Sequence, residues 1–137
     1  MQADTPPAAE APAPPQEPAP RGRRSPATVR ARLAGHLTEA QFLEQVRQIA
    51  QLTGWFTYHT HDSRNSERGF PDLVLVNPLQ RRIIYAELKT ETGAVSPAQV
   101  EWLTALAACG AEAALWRPAD IPRITRIMRG ERIGAEQ

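Results

Sequence analysis

Apolar residues recur at helical spacing between Phe42 and Ala50. Phe42, Leu43, Val46, Ile49 and Ala50 fall on one stripe. Thr38 stands where an N-cap belongs, Gln41 completes a capping box, and Gly54 supplies the stop. The pattern then shortens. "WFTYHT" (55–60) is rich in aromatic and β-branched residues and predicts a strand, followed by the polar loop "HDSRNSERG". "PDLVLVN" predicts a second strand from about Asp72 to Val76, "NPLQRR" a turn, and "IIYAELK" the returning strand. Helical spacing resumes at Ser96-Pro97-Ala98-Gln99, which combines a serine cap, proline at the first helical position and glutamine three residues on. Val100, Trp102, Leu103 and Leu106 form that helix's stripe, and Gly110 ends it. "AEAALWR" predicts a fourth strand, and a short helix carrying Ile121, Ile124, Ile127 and Met128 starts near Asp120. The order α-β-β-β-α-β-α predicts an α/β domain, a mixed sheet flanked by helices.

Composition changes this picture at one end. Residues 1–27 hold eight of the thirteen prolines and no Ile, Leu, Val or aromatic residue. Such a segment buries too little apolar surface to offset its ordering entropy, so it is expected to be a disordered Pro/Ala-rich tail. Residues 28–137 are then the folded domain. No apolar run has the length of a signal peptide or a membrane span. A net charge of +1 does not by itself announce nucleic-acid binding. The single Cys109 excludes an internal disulfide and fits a reducing cytoplasm.

Several polar groups fall on faces that the pattern buries. Alternation puts Ile83, Tyr85, Glu87 and Lys89 on one side of the third strand, and Ile84, Ala86 and Leu88 on the other. A turn centred between Leu79 and Gln80 pairs Val76 with Ile83, Val74 with Tyr85, and Asp72 with Glu87. Directly opposed residues have Cβ atoms about 5 Å apart, so these two carboxylates repel each other unless something offsets the charge. A divalent cation does so, and Mg²⁺ commonly uses one or two carboxylates together with phosphate oxygens. On the helices, Glu39 and Gln99 lie inside the apolar stripes, whereas Glu44 and Glu101 face outward. Lys89 is the chain's only lysine, against fifteen arginines. A compact ammonium can release a proton or act as a mobile donor, which a guanidinium cannot. Together these groups suit metal-assisted phosphodiester hydrolysis, in which carboxylates hold the cation that polarises a phosphoryl oxygen.

"GFPDLVLV" (69–76), "AELKTETG" (86–93) and "SPAQVEWL" (96–103), in this order and spacing, resemble the VRR-NUC (virus-type replication-repair nuclease) family of the PD-(D/E)XK nuclease superfamily. "TEAQF" at the first helix and "HDSR" before the glycine are also similar. The resemblance spans roughly residues 38–120. It implies a restriction-endonuclease-like αβββαβ core, Mg²⁺ or Mn²⁺ as cofactor and DNA as substrate. Position by position it implies metal ligation by Asp72, Glu87 and the Leu88 carbonyl, an attacking water oriented or activated by Lys89, and support from Gln99. The first-helix acid is Glu39 rather than Glu44 on the face argument above, although the helix dipole alone also favours an acid there. Likewise the capping box alone accounts for Gln99.

Other polar residues carry weaker readings. His59 and His61 in "HTHD" read as an exposed strand end rather than a metal site, with His61 a candidate cleft residue. Ser63, Arg64 and Ser66 suit phosphate contact, though loops are polar in any case. Arg123, Arg126 and Arg129 read more readily as a solvated helix face than as a phosphate-tracking stripe, and Trp102 and Trp116 as core. The leading expectation is a structure-selective DNA endonuclease of replication, repair or recombination, with a homodimer placing two sites on two strands. The rivals are a non-catalytic nucleic-acid-binding module on the same scaffold, and a hydrolase of smaller phosphate esters.

Overall fold

The computed structural model describes residues 36–60 and 66–134. Helix α1 spans Glu39–Leu52, and its start is the expected reciprocal box. The Gln41 amide donates to Thr38 Oγ1 at 3.2 Å, and the Thr38 amide donates to Gln41 Oε1 at 3.0 Å. Strands β1 (Phe56–His59), β2 (Leu73–Asn77) and β3 (Arg82–Leu88) follow, then α2 (Pro97–Ala108), β4 (Glu112–Trp116), a 3₁₀ turn (Pro118–Asp120) and α3 (Ile121–Met128). The sheet has the order β1-β2-β3-β4. β1–β2–β3 is an antiparallel meander, and the crossover through α2 makes β4 parallel to β3. The hairpin register is the one the alternation implied, with Val76 opposite Ile83 and Val74 opposite Tyr85. The turn closes at Arg81, which takes φ +54°.

One face of the sheet is the core. Leu73, Leu75, Ile84, Ala86, Leu88 and Trp116 pack against Phe42, Val46 and Ala50 of α1 and Ile124, Ile127 and Met128 of α3, all buried. A charge is buried here too. Arg82 shares the face of Ile84 and Ala86, and all five of its N–H donors have acceptors. Nε and Nη2 grip the Glu112 carboxylate at 2.9 and 2.6 Å. Nη1 reaches Gln80 Oε1 and the Ile127 carbonyl, both at 2.9 Å, and Nη2 the Glu131 carbonyl at 2.9 Å. Its guanidinium also lies 5.3 Å from the centroid of buried Trp55. Burial pushes the Glu112 carboxyl up, but its bonds and charge contact with Arg82 prevail and hold it below the ordinary value.

The other face is only partly covered. α2 lies over the β4 side and buries none of its residues completely. Here the structure departs from the expected core role of the α2 stripe. Val100 is half exposed, and Trp102 sits at the margin with its Nε1 donating to the Arg68 carbonyl at 3.2 Å. Trp102 packs edge-on against Phe70 (5.1 Å), which packs edge-on against Tyr85 (6.1 Å). Beyond them Phe56, Tyr58 and Ile83 lie open on the same face. Among the described residues no helix is long and apolar enough to cross a membrane.

Gly69 fixes where α2 begins. It takes φ +83°, and a Cβ there would lie 2.4 Å from the Ala98 carbonyl carbon in the first turn of α2. Both the conformation and the close approach require glycine. Gly69→Ala is expected to cost about 1–3 kcal/mol from the backbone conformation alone, with displacement of α2 in addition. A chemical denaturation midpoint equal to wild type would contradict this.

Candidate active site

The site forms where β2 begins and β3 ends, between α1 and α2. Asp72 immediately precedes β2, Glu87 is the penultimate residue of β3, and each acid is held by the other's strand. The Asp72 amide donates to Glu87 Oε2 at 3.3 Å, and the Leu88 amide donates to Asp72 Oδ2 at 3.2 Å. Glu87 is 1% exposed, so its carboxylate has almost no water to spread its charge.

Lys89 follows β3 and stays tied to the sheet, its amide donating to the Trp116 carbonyl at 3.0 Å. Its Nζ lies 3.8 Å from Glu87 Oε1 and 3.8 Å from Glu39 Oε1. Glu39 therefore faces the cluster across from the sheet, whereas Glu44 turns away and accepts from Gln48 on the outer surface. Gln99 performs two tasks that the sequence had set against each other. Its Oε1 accepts from the Ser96 amide at 2.9 Å to cap α2, and its Nε2 donates to Glu87 Oε1 at 2.6 Å.

Five of the expected site residues thus converge: Glu39, Asp72, Glu87, Lys89 and Gln99. Leu88 lines a cavity of about 230 Å³ beside them, with Glu39, Ala40, Leu43, His59 and Asp72. His59 was expected at an exposed strand end. It is half-buried and belongs to the cavity wall, because β1 runs antiparallel to β2 and sets His59 opposite Leu73, beside Asp72. The signal available in the sequence was this register, which needed the β1–β2 pairing. Ser66 is exposed in the loop before Gly69, while Ser63, Arg64 and His61 lie outside the described residues. Of the three arginines considered for a phosphate-tracking stripe, Arg126 pairs with Glu131 at 3.0 Å.

The donor set fits a hard divalent cation. Burial first, and then the neighbouring Asp72 charge and the hydrogen bond shared with it, push the Glu87 carboxyl from 4.5 up to about 8, against the lowering influence of Lys89. A carboxyl that holds a proton beside a second carboxylate is short of positive charge, and an ion between the two would supply it. Among the described residues no three His, Cys, Asp or Glu side chains form a ready-made cage. Two carboxylates, with a backbone carbonyl and water or phosphate oxygens, suit Mg²⁺ or Mn²⁺ better than an ion needing an all-protein shell.

An acidic pair at the end of a β-hairpin, a lysine one residue beyond it and flanking helices that each add a polar side chain define a compact α/β domain built around one cluster. Residues 20–119 match the VRR-NUC domain, and the chain belongs to that nuclease family. A solved structure described as a VRR_NUC domain superposes with a TM-score of 0.54 at 18% identity, covering 66% of this chain and 92% of that one. At that identity the likeness speaks for the fold. The Fanconi-associated nuclease 1 homolog of Schizosaccharomyces pombe is 38% identical over 58 residues, 42% of this chain. The match spans 8% of that relative's length.

The Glu87 shift gives a pH prediction for metal-free protein. A carboxyl with a raised folded pKa contributes stability that is whole below its unfolded value of 4.5 and is lost as pH rises through about 8. In EDTA, wild type is expected to lose thermal stability over that window relative to Glu87→Gln. Mg²⁺ or Mn²⁺ should restore the wild type at high pH and not the variant. Parallel Tm-versus-pH curves for the two proteins would contradict the assignment.

Proposed function

We propose that the chain is a divalent-metal-dependent deoxyribonuclease that hydrolyses phosphodiester bonds, acting as a structure-selective endonuclease in DNA replication, repair or recombination. The observation that carries this reading is the Lys89 amino group, 3.8 Å from both Glu39 and Glu87 at the mouth of the Asp72–Glu87 pair. Family membership and the partial match to a nuclease support it.

Asp72, Glu87 and the Leu88 carbonyl would hold the cation. When bound, such an ion supplies Lewis-acid polarisation of the phosphoryl group and a lowered pKa for a water nucleophile. Lys89 orients or activates the attacking water, and the two carboxylates beside it fix the ammonium in place. Gln99 holds the Glu87 carboxylate from α2, so the acid keeps one orientation as charge builds on the phosphate. Glu39 closes the cluster from α1. Hydrolysis forms a phosphorus–oxygen bond to water and breaks the one to the leaving sugar oxygen. Ser66, together with Ser63 and Arg64, contacts flanking phosphates.

Nothing in the site suggests base readout, so selectivity comes from the shape or strand state of DNA. Each chain carries one such cluster, and two copies would be needed to cut two strands. A homodimer would place two clusters on two strands.

The reading is tested with labelled branched, duplex and single-stranded DNAs in Mg²⁺, Mn²⁺ or EDTA. Cleavage should require the metal and fall about 10²-fold or more in Lys89→Ala that remains folded. DNA binding without cleavage under every metal would favour the binding-module alternative. Cleavage of small phosphate esters with DNA left intact would favour the other rival.

A further inference from the structure

The five residues that begin with Lys89 are fastened from outside the cluster. Residues 90–93 form a tight turn in which the Gly93 amide donates to the Thr90 carbonyl at 3.2 Å. Arg117, just after β4, directs one nitrogen into this turn. Its Nη1 donates to the carbonyls of Thr90 at 2.5 Å, Gly93 at 2.9 Å and Glu91 at 3.4 Å. The turn reaches back, with Glu91 Oε1 accepting from the Ala119 amide. Arg117 is itself anchored, its amide donating to Asp120 Oδ2 at 2.9 Å. Together with the bond from the Lys89 amide to Trp116, residues 89–93 are stitched to residues 116–120.

This turn bears on the lysine side chain. A Cβ on Gly93 would lie 3.5 Å from Lys89 Cδ and 2.9 Å from Thr90 Oγ1, so the turn runs beside the lysine stem with room for no more than a methyl group between them. Three carbonyl oxygens directed at one point are negative dipole ends that need a cation or several donors between them. Remove the guanidinium and the turn must open to rehydrate them, moving the chain that continues from Lys89 and runs beside its stem.

We infer that Arg117 is a positioning residue for Lys89: it acts through the backbone of residues 90–93, and it sets where the only lysine amine points. This inference rests on the nuclease reading for its kinetic consequence but not for its structural one. Because Lys89 is the only lysine, protein labelled with ¹³C-lysine gives one lysine side-chain signal, which reports its position whether or not the protein cuts DNA.

The experiment compares wild type, Arg117→Ala, Arg117→Lys and Lys89→Ala by that signal, by Tm, and by kcat and KM on DNA with Mn²⁺. In Arg117→Ala the Lys89 signal should shift or broaden, and kcat should fall about 10-fold or more with KM within about 2-fold, a loss confined to the transition state. Arg117→Lys, with one point donor in place of a fork, should recover part of both. An unchanged Lys89 signal in folded Arg117→Ala, or an unchanged kcat, overturns the inference; a lower Tm alone would mark a merely structural role. Should Arg117→Ala fail to fold, Glu91→Ala removes only the return contact and must show smaller changes of the same kind, and wild-type behaviour there also overturns it. Full activity in Lys89→Ala would instead overturn the nuclease reading. An inactive Lys89→Ala beside a fully active Arg117→Ala would remove this inference alone.

Discussion

Asp72 and Glu87 are two acids held together by each other's backbone. The amide of one acid bonds the carboxylate of the other, and the amide next along β3 completes the exchange. That arrangement can exist only where two antiparallel strands deliver both acids to the same end of a hairpin. It is stable only if the surroundings tolerate concentrated negative charge. The neighbouring elements answer that demand in different ways. Lys89 brings a positive charge, Gln99 a donor, and Glu39 a second carboxylate to hold the lysine. Burial first, and then the Asp72 charge, outweigh the influence of Lys89, which is why Glu87 tends to keep a proton.

β3 carries a buried ionisable side chain toward each end, and the two differ in how fully their partners satisfy them. Arg82 opens the strand with every N–H donor matched and an aromatic ring beneath its plane. Removing one partner of such an arrangement is costly, and nothing further can be added to it. It locks β3, β4 and the chain after α3 into one body. Glu87 closes the strand with its charge only partly answered. A network satisfied within the protein rigidifies; one left incomplete has capacity for a ligand. The same strand thus supplies an anchor and, about 17 Å away at strand rise, an opening.

Most of this was legible in the sequence because it follows from periodicity. The two capping boxes, the hairpin register and the facing of Glu39 away from Glu44 all follow from counting residues along regular elements. Three features were not. Arg82 belonged to the core face by the alternation that placed Ile84, yet an arginine beside a turn reads as solvated unless its acceptors, gathered from β4 and the end of α3, are known. His59 required the β1–β2 pairing across a loop whose length says nothing of register. Arg117 acts through three carbonyls, and backbone acceptors leave no trace in side-chain chemistry. The α2 stripe, half-buried rather than core, is the converse case. Trp102, Leu103 and Leu106 look like core by spacing, but spacing reports which residues share a side and not how much of the molecule lies beneath it.

Gln99 joins the birth of a helix to the aim of an acid. One side-chain amide, through its oxygen, ends the loop before α2 and, through its nitrogen, holds the carboxylate of Glu87. Secondary-structure formation and active-site assembly therefore share a single torsional choice: the rotamer that lets the chain begin to coil is also the rotamer that grips the acid. By this route the native start of α2 and the orientation of the Glu87 carboxyl form together, so folding of this segment carries its own check on one acid of the cluster.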